Sequence, residues 1–271
     1  MCKVAVAMSV YKSDKALFVK KAIDSILNQS CSNFDLFVEV DGPVSDEIKI
    51  TLEGYDTLDN VYINFNEINK GLAYRLNSII DRVLLCGKYT YLARMDADDI
   101  SGECRLQKQV SFLESNQDIS VVGSDVNEIS DDGEFLFYKK MDAKHEALEK
   151  RIITKCPFNH PSVMFKIDVF TEGFRYNSNL KNTQDYYLWV DLLANEKKFA
   201  NINEPLLDFR VSNGFHSRRG VNKALNDLKS RLYAFDKLNC YSIANIIHTI
   251  VLFMLRLSPP FVKKLAYKFL R

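Results

Sequence analysis

The 271-residue sequence predicts an α/β fold: a mostly parallel central sheet with helices on both faces, followed by a helical C-terminal tail. Three observations carry that prediction. Short apolar runs alternate with stretches of helical periodicity through the first half of the chain. The runs are continuous rather than alternating, the pattern of strands buried on both faces. The composition, 47% hydrophobic and 26% charged, is that of a chain able to build a core and excludes a disordered or collagenous one.

The elements follow in order. Val4–Met8 reads as a buried strand, and Lys15–Asn28 repeats apolar positions at helical spacing through Val19, Ala22, Ile23, Ile26 and Leu27. Phe34–Val40 is a second strand ending at the turn Asp41-Gly42-Pro43, and Val61–Phe65 is a third. Leu72–Leu85 is helical and leads into the strand Tyr89–Met95. The middle is less regular, with a helix at Arg105–Ser115 and strands at Ile119–Gly123, Phe135–Tyr138 and Val163–Lys166. A helix starts near Tyr186–Leu193. No Pro/Gly/Ser-rich linker divides residues 1–215, so residues 1–221 are expected to form one domain and residues 222–271 a helical region interrupted at Pro259-Pro260.

Charge is unevenly spread. The chain holds 36 basic and 35 acidic residues, yet no acid follows Asp236 and six basic residues do: Lys237, Arg256, Lys263, Lys264, Lys268 and Arg271. The body therefore carries 30 basic against 35 acidic groups, a balance of −5, and the tail carries +6. The six cysteines are scattered, with no CxxC pair or metal-like spacing, which points to reduced thiols. The N-terminus has no long apolar stretch before its first strand, so a cytoplasmic protein is expected.

Three segments carry chemistry. Arg94-Met95-Asp96-Ala97-Asp98-Asp99 places carboxylates at the C-terminal end of a strand, the edge where open α/β sheets bind ligands. Carboxylates this close repel unless a cation compensates, and Asp-x-Asp lets two of them converge on one hard divalent ion. An acidic, solvated loop is the plainer reading of the same residues. Asn69-Lys70-Gly71-Leu72 joins a strand to a helix N-terminus and favours an anion such as a phosphate, although an ordinary helix start explains it too. Met8-Ser9-Val10-Tyr11 leaves the first strand in the same way, offering backbone groups and a ring to a base.

Taken in order, Ser9-Val10-Tyr11, Ala22 to Ser30, Val40-Asp41-Gly42, Asn69-Lys70-Gly71-Leu72, Met95 to Asp99 and Gln184-Asp185-Tyr186 resemble the family 2 inverting glycosyltransferases. With Asn159-His160-Pro161-Ser162-Val163-Met164-Phe165, they are most similar to the bacterial enzymes of O-antigen, capsule and exopolysaccharide synthesis. The resemblance spans residues 3 to about 215. It implies a GT-A (Rossmann-like) fold, a nucleotide-sugar donor, expected to be UDP-linked, and a Mn²⁺ or Mg²⁺ ion. Carried over by position, Ser9, Val10, Tyr11, Asp41, Lys70, Asp96 and Ala97 should contact the nucleotide sugar. Tyr11 would lie against the base and Asp41 would help hold base or ribose. Asp98 should ligate the ion bridging the phosphates, with Asp96 and His216 as further metal candidates. Asp185 should be the catalytic base, although its position alone also suits a helix N-cap. Two departures stand out: Val40-Asp41-Gly42 where many members have Asp-Asp-Gly, and Gln184-Asp185 where the family has Glu-Asp.

The tail adds an expectation about partners. Ile243–Leu257 is apolar, but as a helix it spans only about 22 Å, too short for a hydrocarbon core of about 30 Å. Beyond Pro260, Phe261, Leu265 and Phe269 share one face and Lys264, Lys268 and Arg271 another, the pattern of a basic helix lying on an anionic membrane. Packing on the domain or on a second subunit is the other reading. With the implied activity, the tail suggests an enzyme held at the inner face of the cell membrane and acting on a polyprenyl-diphosphate-linked saccharide. A non-catalytic nucleotide-sugar-binding or scaffold protein is the alternative. The acidic body argues against a nucleic-acid partner. His160 is expected to be structural, and Trp189 to be core or an acceptor-side wall.

Overall fold

The computed structural model describes residues 3–180, 182–211 and 221–258. Strand and helix alternate through β1 (Val4–Val10), α1 (Ala16–Leu27), β2 (Phe34–Asp41), α2 (Asp46–Glu53), β3 (Val61–Asn66), α3 (Leu72–Cys86) and β4 (Tyr91–Asp96). Then come β5 (Ile100–Ser101), α4 (Arg105–Ser115), β6 (Ile119–Ile129), β7 (Phe135–Lys139), α5 (His145–Lys150), β8 (Met164–Lys166) and α6 (Asp168–Thr171). The described chain closes with α7 (Gln184–Ala194), β9 (Lys198–Arg210), α8 (Val221–Leu238) and α9 (Ile243–Leu257). The nine described strands join one sheet of order β3-β2-β1-β4-β8-β6-β9-β5, with β7 added on β6. The β3-β2-β1-β4 half is parallel throughout, and β6 pairs β9 in parallel. Antiparallel joints occur where β8, β7 and β5 enter.

Both faces are covered, as the continuous apolar runs require. Alternate residues of β1 enter different cores: Ala5 and Ala7 pack with α3, α7 and α8, whereas Val4, Val6 and Met8 pack with α1, α2 and α4. Ala234 and Phe235 of α8 join the first core, so this helix is anchored on the body beside Trp189. The chief element that the sequence pattern conceals is β9. Its Glu204-Pro205 interrupts the apolar run, and the structure accommodates Pro205 where the register with β6 shifts around Asp125. The mainly polar helices α2 and α5 also lack an apolar stripe strong enough to announce them. No described helix is long and apolar enough to cross a membrane.

Candidate active site

Because β1, β2 and β4 are parallel neighbours, their C-terminal ends open on the same edge. With strands about 4.8 Å apart, the ends of β2 and β4 flank β1 at a separation of about 10 Å. Ser9 stands in register with Asp96, and Val10 is buried. Tyr11 follows β1 with its ring exposed, and its backbone N–H donates to the Asp14 carboxylate at 2.9 Å.

The end of β4 concentrates negative charge. Carboxylate oxygens of Asp96, Asp98 and Asp99 lie within 4.8 Å of one another. Asp99 is buried: its Oδ1 accepts from the Arg210 N–H at 2.8 Å, while its Oδ2 has no hydrogen-bond partner. Buried Ala97 sets the two flanking aspartates on the same turn. Burial, then the Asp96 charge, pushes the Asp98 carboxyl up to about 6. The same causes, with Asp98 added, hold Asp99 well above the usual carboxylate range. A fourth acid faces this group. Asp14 is driven up to about 7 by burial against the opposing Tyr11 hydrogen bond, with Asp98 and Asp96 adding to the rise. Converging hard oxygen donors, one of them buried and unpartnered, fit a divalent cation, and Asp96 and Asp98 are placed to hold it. Buried cations oppose this charge: Arg94 on β4, paired with Asp96, and Arg210 at the end of β9, whose Nε donates to the Asp98 carbonyl at 2.8 Å.

The end of β2 has the opposite character. Asp41 is buried, and its carboxylate accepts from the Lys70 and Gly71 backbone N–H groups, each at 2.8 Å, and from Arg75 Nε at 2.7 Å. Arg75 also bonds Asn66 Oδ1 and the Ile68 carbonyl, so one buried guanidinium ties the β3–α3 loop to β2. The N-terminus of α3 does hold an anion, and that anion is a side chain of the same protein. Lys70 itself is exposed, with Nζ 3.2 Å from the Tyr74 hydroxyl and over that ring. Gly42, at φ +82°, allows the closure, since a Cβ there would meet the Asn69 backbone nitrogen at 2.9 Å.

Asp185 lies in the first turn of α7, entered through Thr183 in the left-handed region at φ 65°. Burial raises the Asp185 carboxyl, opposed by backbone N–H donors and the Arg94 charge, while Asp96 adds to the rise. The structure thus brings Asp185 within the electrostatic reach of the β4 end. Desolvation is the largest cause of the upward shift of Asp185. Among the described residues, no hydrogen bond or ion pair joins the Asp41–Lys70 group to the Asp96–Asp98 group. His160 is half-buried and its Nε2 meets the Tyr176 hydroxyl at 2.9 Å; desolvation, with Arg94 nearby, holds its pKa well below the usual imidazole value. Trp189 is a core residue stacked on Phe165. His216 lies outside the described residues.

Three residues escaped the sequence reading. Arg94 was visible as a cation in the middle of an apolar strand, a signal for a buried charge with a nearby partner. Asp14 sits in a short polar loop without a motif. Arg75 belongs to the face of α3 that also buries Leu76 and Ile79, and only the closed β3–α3 loop explains why a cation is there.

Residues 5–174 match the glycosyl transferase family 2 domain. The chain is 37% identical over 213 residues to the O-antigen biosynthesis glycosyltransferase WbnJ of Escherichia coli, covering 78% of this chain and 80% of that protein. It is 29% identical over 270 residues to the Escherichia coli UDP-Gal:alpha-D-GlcNAc-diphosphoundecaprenol beta-1,3-galactosyltransferase, covering 98% and 95%. Among solved structures it superposes on S. aureus TarS 1–349 in complex with UDP-GlcNAc at a TM-score of 0.63 and 14% identity, over 97% of this chain and 83% of that one. Against the longer TarS chain it spans 44% of the length, again at a TM-score of 0.63. At these identities the structural likeness establishes the architecture, a GT-A fold. With the domain match covering more than half its length, the chain belongs to glycosyl transferase family 2.

Proposed function

We propose that this glycosyltransferase moves a hexose from a UDP-sugar to a lipid-linked saccharide in bacterial surface polysaccharide synthesis, O-antigen or capsule, by a single inverting displacement. The observation that carries the reading is the pairing of two acidic features, one at the end of β4 and one at the start of α7. The Asp96–Asp98–Asp99 cluster lies within electrostatic reach of the half-buried, separate carboxylate of Asp185. The first suits a diphosphate bridged by a divalent ion, and the second suits a base. Relatives support the substrates: one is a UDP-Gal:alpha-D-GlcNAc-diphosphoundecaprenol beta-1,3-galactosyltransferase, and a structural neighbour was solved with UDP-GlcNAc.

In this mechanism Tyr11 lies against the base, with the backbone of Ser9 and Val10 lining the crevice floor. Asp41 acts on the nucleotide through the Asn69-Lys70-Gly71 loop that it orders, and Lys70 offers an exposed ammonium near the phosphates. Asp96 and Asp98 would hold Mn²⁺ or Mg²⁺, with His216 as a further ligand; that ion supplies charge neutralisation of the departing nucleoside diphosphate. Asp185 accepts the proton of the acceptor hydroxyl as its oxygen attacks the anomeric carbon. Burial holds the Asp185 carboxyl above the ordinary carboxylate range, which strengthens it as a base once ionised. Residues 1–221 serve as the catalytic domain, with residues 222–271 and their basic end holding it peripherally at the inner membrane face.

The test is transfer from labelled UDP-hexoses with Mn²⁺ and a polyprenyl-diphosphate saccharide. Asp98→Ala and Asp185→Asn should each lower turnover by about 10²–10⁴-fold with unchanged circular dichroism. Full activity in either variant would remove the role assigned to that residue.

A further inference from the structure

Helix α9 is built inside out for a protein in water. Ile243, Ile247, Ile250, Val251 and Met254 project outward along its length, each 55–79% exposed. Its polar side chains are the sheltered ones: Thr249 is buried, Asn245 Nδ2 donates to the Cys240 carbonyl at 2.9 Å, and Arg256 pairs with Asp227 of α8. His248 is half-buried, its pKa lowered by burial and by Arg231 of α8. A water-exposed helix normally shows the reverse arrangement, and monomeric soluble proteins rarely expose so continuous an apolar strip.

We infer that the outer face of α9 inserts in the plane of an anionic phospholipid bilayer; the inference deepens, and rests on, the reading that the acceptor is lipid-borne. Three observations select lipid over another occupant. The helix spans about 22 Å, too short to cross but long enough to lie in the interface. It contains no acidic residue, and the chain after Leu257 carries Lys263, Lys264, Lys268 and Arg271 with no acid, a charge complementary to anionic headgroups. A second copy on the same face would bring like charges together. The body balance of −5 is repelled by the same surface, so docking through α9 is oriented.

The placement serves the site. Helix α8 packs on both α9 and α7, with Arg231 of α8 4.4 Å over the ring of Tyr186, the residue after Asp185. Bilayer contact is thereby held at a fixed offset from the base, two helix packings of about 8–10 Å each.

Flotation of the full-length protein with vesicles of 30% phosphatidylglycerol, beside phosphatidylcholine vesicles, tests the inference against the triple variant Ile247→Ser/Ile250→Ser/Met254→Ser. The wild type should float with the anionic vesicles and the variant should bind at least about 10-fold more weakly, because three exposed apolar side chains lose their burial. Circular dichroism and UDP release from the donor should be unchanged. Equal binding by both proteins overturns the inference, as does binding that 0.5 M salt abolishes in both alike. A wild type that ignores vesicles but sediments as a dimer dissociated by the variant also overturns it, assigning the face to a second copy. Vesicle binding lost only in the variant, with neither protein turning over any donor, supports the inference and counts against the transferase reading alone.

Discussion

Two strand ends two positions apart in the sheet treat their acids in opposite ways. At the end of β2, Asp41 has three donors and is closed off from solvent. At the end of β4, three carboxylates crowd together, one buried oxygen has no partner, and Arg94 pairs with Asp96. The first arrangement pairs its carboxylate fully within the chain, whereas the second sets three carboxylates beside Arg94 and Arg210 and leaves one buried oxygen unpaired. The difference separates an acid whose partners hold a loop from acids whose mutual charge keeps Asp98 and Asp99 raised. Both are aspartates at the C-terminal end of a parallel strand, so position in the fold does not distinguish them; the count of donors does.

Breaking the closed end should cost the most stability. Asp41→Ala strands a buried guanidinium and two backbone N–H groups, and the expected loss is about 3–5 kcal/mol by chemical denaturation. Arg75→Met in the same background should restore part of that loss, because the unpaired buried charge is removed as well. If Asp41→Ala leaves stability unchanged while raising the donor KM, the residue touches the nucleotide directly and its internal bonds are incidental.

A smaller effect is expected from Gly42→Ala. The left-handed φ and the 2.9 Å approach to the Asn69 nitrogen oppose any side chain, and about 1–3 kcal/mol should be lost. The damage should fall on the Asn69-Lys70-Gly71 loop, so donor KM should rise more than kcat falls. A stable variant with unchanged KM would show that the loop is not held through this contact.

How much of this was legible in the sequence follows the same division. The α/β core could be read because β1, β2, β4 and their helices carry uninterrupted apolar patterns. The acidic cluster could be read because three acids within four residues follow a strand, although a solvated acidic loop is the plainer reading until the motifs are taken together. The role of Asp41 could not, since its partners Lys70, Gly71 and Arg75 come 29 to 34 residues later and meet it only when β3 and α3 fold back. The α3 N-terminus favours an anion, and the Asp41 carboxylate takes that place; the sequence offered no way to tell an external phosphate from an internal carboxylate. Strand β9 was hidden by Pro205, and the inverted face of α9 by the usual assumption that apolar side chains point inward.

The open end should be sharpened most finely through Asp14, which feels the cluster without belonging to it. Its carboxyl is raised to about 7, so the folded protein binds a proton there that the unfolded chain, at the ordinary carboxylate value near 3.8, releases. Between those two values the native state carries more protons than the unfolded state, and stability therefore falls as pH rises from about 4 to about 7. With the group partly open to solvent, the contribution is on the order of 1 kcal/mol. Asp14→Asn should flatten the pH dependence of the thermal midpoint across that window. Mn²⁺ should flatten it in the wild type too, because a cation among Asp96, Asp98 and Asp99 offsets the charges that help raise Asp14. If Mn²⁺ leaves the wild-type slope untouched while stabilising the protein equally at pH 5 and pH 7, the ion is bound elsewhere. The contrast between a self-contained β2 end and a β4 end proposed to bind a cation would then have to be abandoned.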